Sequence, residues 1–377
     1  MKTSIRPGLG LALGLSTSVI AGSAFAAPLA DRLERPAQTS PLTGQTLLTD
    51  VHRLGERLVL VGEGGRILIR DADGHLQQSS VPVDLLLTAV HFVDDHNGWA
   101  VGHDGVILHS VDGGRTWLKQ SDGRTISNLM LQWTEAEVAR LEATKAAAPD
   151  DKTLDGVLED AYFALDDVKA GIESGPSRPL LGVWFRNPSE GWVVGAYGMI
   201  LQTQDGGKHW RFLSGLHNPE RLHLNSVLGL PDGGLLVAGE GGRLYRLAEG
   251  KWQAPQQLTK ASLYKLLSLR DGTLLAMGFG GTLLRSADLG RSWQAIELPG
   301  KFSLYGGEQL ADGSLVLTGQ AGVILHSQDL KHFKTWRSPG QTAWLSASVL
   351  PTDEIALVGG QGLRTLPLSQ LTAQEQP

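Results

Sequence analysis

A glycine-centred phrase recurs at a nearly constant interval along the chain, and this period limits the folds that the chain can adopt. In its second copy, over residues 100–108, the phrase reads AVGHDGVIL. Most copies are about 40 residues apart, and a period of this length with several short strands per repeat is typical of β-propeller blades. The marker glycines of the seven copies are Gly62, Gly102, Gly195, Gly239, Gly278, Gly319 and Gly359.

Each copy has room for four short strands. In the second copy, alternating apolar and polar residues predict strands over 89–93, 98–102, 106–110 and 116–119. We therefore expect an all-β fold, a seven-bladed β-propeller spanning residues 27–377. A β-solenoid is the alternative, and we prefer the propeller because four-stranded units of this period close readily into rings.

The seventh copy is incomplete, since a polar tail over 369–377 follows it where the other copies continue. An unpaired sheet edge invites unwanted pairing, and a ring is usually closed by a blade that both ends of the chain share. We expect a strand from about residues 27–42 to complete the last blade.

A second phrase, S-x-D-x-G-x-x-W, follows the first and is known as an Asp-box. Its aspartate can accept hydrogen bonds from backbone N–H groups of its own turn, and its glycine supplies positive φ. The tryptophan opens the next strand and can pack back onto the blade. We interpret these residues as structural, because carboxylates spread one per blade cannot converge on a single substrate. The three good copies are Ser110, Asp112, Gly114 and Trp117; Thr203, Asp205, Gly207 and Trp210; and Ser286, Asp288, Gly290 and Trp293.

Together the two phrases resemble the repeat of the photosystem II assembly/stability factor family, a group of Asp-box, or bacterial neuraminidase repeat, propellers. The resemblance is clearest over residues 92–117 and 185–210, and it covers nearly all of the chain after the first residues. It implies a non-catalytic propeller that helps to assemble membrane complexes. Relatives in non-photosynthetic bacteria often accompany resistance–nodulation–division (RND)-type transporters, so a membrane protein complex of that kind is the expected partner.

One interval between marker glycines is roughly twice the others, and its composition differs from that of the repeats. Residues 123–178 lose nearly all glycine and show apolar residues at helical spacing, interrupted at 149–151. This pattern predicts a helical hairpin inserted between blades 2 and 3. Its two apolar faces could simply bury each other or lie across the ring. Alternatively, the hairpin contacts a partner through Trp133, Phe163 and the acidic residues Glu159, Asp160, Asp166 and Asp167; we place Tyr162 in the buried stripe and favour Phe163 as a contact.

The first 26 residues have the pattern of a secretory signal peptide. Lys2 and Arg6 precede an apolar run over 9–21, and small residues then suggest cleavage between Ala26 and Ala27. The run is shorter than the roughly 20 residues that span a bilayer, although an uncleaved anchor is the alternative. Since the chain has no cysteine, a lipoprotein anchor is excluded. We expect a periplasmic protein that is not transmembrane after cleavage.

Composition and motifs argue against most catalytic chemistry. With no cysteine there are no disulfides, thiolate nucleophiles or cysteine-bound metals, and a net charge of −6 makes nucleic acid an unlikely partner class. No metal-binding, nucleotide-binding or hydrolase motif is present, so we expect no cofactor, no metal and no catalytic residue.

A sialidase-like glycoside hydrolase is the main alternative, because those enzymes also carry Asp-boxes on propellers. Their arginine cluster and tyrosine–glutamate pair are not evident in this sequence, which holds five tyrosines. A glycan-binding or small-molecule-binding propeller also stays open.

Overall fold

The structure, a computed structural model, describes residues 31–254 and 256–372. Seven antiparallel sheets follow one another along the chain, and the first strand of each sheet contacts the first strands of its neighbours, from blade 1 round to blade 7 and back. The predicted seven-bladed β-propeller is confirmed. The expected signal peptide over 1–26, with cleavage at Ala26 and Ala27, lies outside the described residues.

Blades 1 to 3 each contain four strands that are adjacent in sequence and in space. Blade 1 comprises β1 (Leu48–Leu54), β2 (Arg57–Gly62), β3 (Ile67–Arg70) and β4 (Leu76–Gln78); blade 2 comprises β5 (Leu87–Phe92), β6 (Gly98–Gly102), β7 (Ile107–Ser110) and β8 (Leu118–Ser121); blade 3 comprises β9 (Leu180–Phe185), β10 (Gly191–Gly195), β11 (Ile200–Thr203) and β12 (Arg211–Phe212).

Blades 4 to 7 depart more from this plan, since blade 4 gains a short fifth strand and blade 7 has only three. Blade 4 comprises β13 (Leu224–Gly229), β14 (Leu235–Gly239), β15 (Arg243–Ala248), β16 (Lys251–Trp252) and β17 (Gln256–Gln257); blade 5 comprises β18 (Leu263–Ser268), β19 (Leu274–Gly278), β20 (Leu283–Ser286) and β21 (Gln294–Ala295); blade 6 comprises β22 (Leu304–Gln309), β23 (Leu315–Gly319), β24 (Val323–Ser327) and β25 (Lys334–Arg337); blade 7 comprises β26 (Trp344–Val349), β27 (Glu354–Gly359) and β28 (Gly362–Pro367).

The marker glycines are explained by close backbone approach. Gly102 is extended, and a Cβ on it would lie 2.3 Å from the carbonyl oxygen of Leu86. The corresponding approach recurs in every blade, where a bulge in the first strand presses a carbonyl against the end of the second. Because no other residue fits under that carbonyl, the glycine recurs once per blade.

Two faces of the ring follow from this strand order. The end of each second strand turns back through a short 3₁₀ segment in blades 1 to 6, and the connections between blades leave from the same side. We call this side the glycine-turn face. The opposite side carries the hairpin turns between first and second strands and the Asp-box turns, and we call it the Asp-box face.

The predicted insertion is a helical hairpin between blades 2 and 3, as expected. Helix α1 spans Gly123–Ala147 and α2 spans Thr153–Ser174, and the two pack against each other. Asp122 caps α1 by accepting hydrogen bonds from the backbone N–H groups of Arg124 (3.0 Å) and Thr125 (3.4 Å). Since the hairpin joins two blades, it rises from the glycine-turn face.

The prediction that residues 27–42 supply a strand to the last blade is wrong for the residues the structure describes. Residues 31–42 form no strand. They run instead beside blades 1 and 2, where Leu33 is buried with only 1% of its surface exposed and Ala37 N–H donates to the Val81 carbonyl (3.0 Å). The ring is closed by packing between blade faces, with Leu48 and Leu60 of blade 1 buried in one cluster with Val358 of blade 7.

The segment predicted to be a polar tail begins differently. Residues Leu368–Thr372 form a short helix, α3, and Leu371 is buried. Leu371 packs into the same cluster as Leu310 of blade 6 and Leu366 of blade 7. The chain therefore ends its described part by sealing the joint between those blades. Residues 373–377 lie outside the described part.

Candidate functional site

The Asp-box residues form self-contained turns. In blade 2, Asp112 Oδ1 accepts from the Ser110 hydroxyl (2.8 Å) and from Thr116 N–H (3.0 Å), while its Oδ2 accepts from the Thr116 hydroxyl (2.6 Å). Ser110 Oγ in turn accepts from Gly114 N–H (2.9 Å). These hydrogen bonds lower the pKa of Asp112 despite the opposing effect of partial burial. The same arrangement holds Asp205 with Thr203 and Gly207, and Asp288 with Ser286 and Gly290.

The Asp-box tryptophans pack inward between blades. Trp117, Trp210 and Trp293 are 3%, 7% and 6% exposed. Trp117 Nε1–H donates to the Gly114 carbonyl (2.8 Å), and its ring meets Phe92 edge-on at 5.8 Å. The three Asp-boxes lie in three different sheets. Within each box, the polar groups form hydrogen bonds to residues of the same turn, so the three boxes do not form a shared site.

The hairpin carries the exposed aromatic residues. Phe163 is 67% exposed, more than any other large apolar side chain of the hairpin, and the Arg221 guanidinium lies 5.3 Å above its ring. Trp133 is 41% exposed and stacks on Phe212 of blade 3 at 5.9 Å. The Tyr162 hydroxyl donates to Glu142 of α1, so Tyr162 lies at the surface of the helix pair and not in a buried stripe.

The predicted acidic cluster is divided by the structure. Glu159, Asp160 and Asp166 are exposed on α2. Asp167 instead lies at the foot of the hairpin, where its Oδ2 accepts from Arg178 (2.9 Å) and from Arg221 (3.0 Å). Asp167 therefore anchors α2 to the two segments that enter blades 3 and 4, and the other three carboxylates are available to a partner.

Beside this anchor, Tyr197 projects from the glycine turn of blade 3. Its backbone is left-handed (φ 57°), a conformation shared at the equivalent place by glycine in blades 1, 4 and 5, by Asp104 in blade 2 and by Ala321 in blade 6. Its side chain is 48% exposed, with Arg178 5.0 Å above the ring and His223 edge-on at 5.2 Å. Among blades 1 to 6, Tyr197 is the one residue with a large aromatic ring at this place, and the ring is exposed on the glycine-turn face.

A second group of functional side chains lines the central channel. Lys265 of blade 5 reaches across to Asp50 of blade 1, with Nζ 3.3 Å from Oδ1. Asp50 also accepts from the Ser346 hydroxyl of blade 7 (2.9 Å) and from Val90 N–H of blade 2 (3.2 Å). At the matching position the other five blades carry only glycine, alanine or serine. The ion pair spans the channel between blades 1 and 5, and the hydrogen bonds of Asp50 add blades 2 and 7.

Two residues further along the first strands of blades 1 to 3, aromatic side chains follow one another round the channel. The rings of His52 and His91 are 5.4 Å apart, and Trp184 lies 6.1 Å beyond His91. Burial, reinforced by Lys265, lowers the pKa of His52 to about 4; burial, with a further contribution from His52, lowers that of His91 to about 3. On the opposite wall, burial raises the pKa of Glu308 to about 7, despite the nearby cations Arg53, Arg270 and Lys265.

Our sequence reading missed these channel residues. They occupy two fixed positions of the repeat, and the signal that could have found them is a departure from the small or apolar residues that fill those positions elsewhere. Among the described residues, no three histidine, aspartate or glutamate side chains are grouped so that they could hold a metal ion. Within the same residues, no helix is both long enough and apolar enough to cross a membrane.

Comparison with known proteins establishes the fold. No protein-family model matches the chain, and no curated protein matches its sequence. A solved structure of YCF48 bound to D1 peptide has 18% sequence identity and a TM-score of 0.57, over 89% of this chain and 97% of that one. YCF48 from Cyanidioschyzon merolae has 16% identity and a TM-score of 0.57, over 87% and 97%. The GH74 enzyme of Niastella koreensis has 13% identity and a TM-score of 0.59, over 86% and 52%. All three similarities are to β-propellers.

Proposed function

We propose that this chain is a non-catalytic, periplasmic β-propeller that binds protein, and that it acts as an assembly or accessory factor for a membrane protein complex of the RND-transporter type. The observation that carries the proposal is the pair of exposed aromatic side chains, Phe163 and Tyr197, beside Arg221 and Arg178 on the glycine-turn face. We call this group the aromatic–arginine surface.

The composition of this surface is that of a protein contact. Aromatic residues and arginine are enriched at the energetic centres of protein interfaces, because they combine a large contact area with directional polar groups. Asp167 holds both arginines in place, so little side-chain entropy is lost when a partner binds. The exposed carboxylates of Glu159, Asp160 and Asp166 add a rim that would attract a basic segment of the partner.

The exposed ring of Tyr197 is the strongest single argument. At this place in the glycine turn, blades 1, 4 and 5 have glycine, blade 2 has Asp104 and blade 6 has Ala321, so blade 3 alone presents a large aromatic ring. That ring is 48% exposed beside Arg178, and it offers apolar area to a contact outside this chain.

The structural similarity to YCF48 also supports the proposal, because that protein was solved with a bound D1 peptide. At 18% identity the likeness concerns the fold, so the binding role is carried over as a proposal. The transporter partner and the periplasmic location rest on the family resemblance and on the signal-peptide pattern.

The test is recovery of a membrane protein from detergent-solubilised membranes, with purified chain as bait and quantitative mass spectrometry as readout. We expect an RND-type transporter component to be enriched by the wild type and largely lost after Phe163→Ala combined with Tyr197→Gly. The glycine relaxes the turn, so the double variant should remain folded. Leu118→Ala is the matched control, since Leu118 is 72% exposed on the outer strand of blade 2. Equal recovery by wild type and double variant would contradict the proposal.

A glycoside hydrolase or glycan-binding propeller is the second candidate, favoured by Glu308 and by the similarity to a GH74 enzyme. Glycosidases need a protonated acid and a second free carboxylate. A carboxyl of raised pKa, like Glu308, suits the first role, but Asp50 is already bonded to Lys265, Ser346 and Val90. Release of a fluorogenic group from a sialoside by wild type, and not by Glu308→Gln, would favour this candidate.

A further inference from the structure

Blade 7 has an open outer edge. In blades 1 to 6 a fourth strand of two to four residues pairs with the third, whereas β28 pairs only with β27 among residues 31–254 and 256–372. At one end of β28, Gly362 is covered by the loop at Gly44, whose carbonyl oxygen would lie 2.0 Å from a Cβ on Gly362. At the other end is Pro367. The free edge is therefore Leu363–Arg364–Thr365.

The register of the sheet shows which backbone groups are free. Leu368 N–H donates to the Asp353 carbonyl (2.8 Å), and in an antiparallel pair the hydrogen-bonded residues alternate. Arg364 and Leu366 therefore bond to β27, while the N–H and C=O groups of Leu363 and Thr365 face outward. The backbone nitrogen of Pro367 also faces outward, so the lack of an N–H group there costs no hydrogen bond to β27.

Helix α3 directly follows β28, where blades 1 to 6 instead turn into a fourth strand. In blade 5, Trp293 of the Asp-box packs with Leu230 and Leu236 of blade 4. In blade 7 the corresponding joint with blade 6 is filled by Leu371 of α3, which packs with Leu310 and Val316. The core is thus sealed without an Asp-box, and α3 replaces the turn that would lead the chain into a fourth strand.

We propose that the open edge of blade 7 binds an extended segment of a partner protein as an antiparallel fourth strand, with an acidic residue opposite Arg364. The six complete blades show the shape of the occupant, which is a short strand held by main-chain hydrogen bonds. Arg364 is exposed and has no ion-pair partner among the described residues. Opposite charges on facing strands attract. Because the backbone groups of Arg364 point to β27, Arg364 would form a non-hydrogen-bonded pair with a residue of the incoming strand, and side chains in such pairs are closest.

A second copy of this chain fits the edge poorly. Two β28 strands paired antiparallel about this three-residue edge would place Arg364 directly opposite its symmetry mate, and like charges facing each other are destabilising. On the other side of the strand, Leu363 packs with Leu76 in the cluster between blades 7 and 1. The partner residues that face Leu363 and Thr365 are therefore apolar or β-branched, which makes the recognised pattern apolar–acidic–apolar.

The experiment uses the mature chain and two synthetic seven-residue peptides, with cores Ile-Glu-Val and Ile-Lys-Val and identical Gly-Ser flanks. Hydrogen exchange measured by NMR at millimolar peptide should show slower exchange of the Leu363 and Thr365 amides, and of no other strand. Fluorescence anisotropy should show the glutamate peptide binding up to about fivefold more tightly than the lysine peptide.

Two variants test the two halves of the proposal. Arg364→Glu should reverse the preference between the peptides, and Thr365→Pro should abolish binding of both while the melting temperature changes little, because that N–H faces outward. Arg364→Glu keeps the test decisive if the proline variant fails to fold. Unchanged exchange at Leu363 and Thr365, or an unchanged peptide preference in Arg364→Glu, would overturn the proposal. So would a wild-type dimer in analytical ultracentrifugation that Thr365→Pro dissociates.

This inference rests on the proposed function only in taking the partner to be a protein. The aromatic–arginine surface lies on the hairpin, on blade 3 and on the segment that enters blade 4, far along the chain from β28. Phe163→Ala with Tyr197→Gly leaves the blade 7 edge intact, and the peptide assay needs no membrane component. Failure of one proposal is therefore distinguishable from failure of the other.

Discussion

Asp112 and Asp50 are both aspartates with several hydrogen bonds, yet they hold different things together. Asp112 lies in an Asp-box turn, and its hydrogen-bond partners are residues of that same turn. Asp50 lies in the channel, where its partners Val90, Lys265 and Ser346 come from three other blades. The first aspartate stabilises one turn of one blade, and the second joins the ring across its centre.

In a repeat protein, recurring residues and exceptional residues serve different purposes. A residue that recurs in every good copy, such as the Asp-box aspartate, performs a task that each blade needs for itself. A residue that breaks the pattern at a fixed position, such as Asp50 or Lys265 where the other five blades have glycine, alanine or serine, performs a task that the ring needs once. Function is therefore to be sought among the exceptions, which include Tyr197 and the open edge of blade 7.

Removing an Asp-box tryptophan should have the largest effect on stability. Trp117→Ala leaves a cavity between blades 1 and 2, and we expect the free energy of unfolding to fall by about 4 kcal/mol. Chemical denaturation monitored by circular dichroism measures it. The control is Trp133→Ala on the hairpin, where the ring is 41% exposed and the loss should stay below about 1 kcal/mol. Similar losses in the two variants would mean that the Asp-box tryptophans do not hold adjacent blades together.

Breaking the channel bridge should come next. Asp50→Ala removes a buried carboxylate with partners in three other blades, and we expect a loss of about 3 kcal/mol. Because Lys265 is partly exposed, the double variant Asp50→Ala with Lys265→Met should recover part of that loss. A loss no larger than that of a rim aspartate would show that the ring does not depend on the bridge.

Replacing Glu308 should increase the free energy of unfolding at high pH, in contrast to the two preceding changes. Burial raises its pKa from 4.5 to about 7, so the folded state holds a proton that the unfolded state has released between those values. Stability from this group is full below pH 4.5 and is lost as the pH rises towards 7. Glu308→Gln should therefore match the wild type at pH 4.5 and be more stable by about 3 kcal/mol at pH 8. Urea denaturation at the two pH values checks it, and a pH-independent difference would refute the burial argument.

The smallest effect is expected at the rim. Asp112→Ala removes three hydrogen bonds from a partly exposed turn, and we expect a loss of about 1 kcal/mol, since water can replace most of them. Asp288→Ala in blade 5 should behave alike, because its bonds repeat those of Asp112. Thermal melts of the two variants should agree within experimental error; a large difference would show that the Asp-boxes are not equivalent.

Much of the architecture follows from local sequence alone. The strands predicted for blade 2 agree with β5 to β8 within about two residues, because each is bounded by glycine or aspartate turns. The hairpin was predictable because helical spacing replaces alternation between residues 123 and 178. The closing strand was not predicted correctly, because the segment before blade 1 can pack at more than one place on the ring and the sequence does not show which is preferred. In the structure, Leu33 and Arg35 of this segment contact blades 1 and 2.

The repeating part of the molecule can be predicted from sequence: seven blades, their order, the Asp-box turns and the position of the insertion. These depend on contacts within about 40 residues, so each copy carries its own information. Three features became visible only in the folded molecule: how blades 1 and 7 meet, the pairing of Lys265 with Asp50, and the edge of β28 that no other described strand covers. These features join residues far apart in the chain, and which groups are brought together across a ring is settled only when the ring has closed.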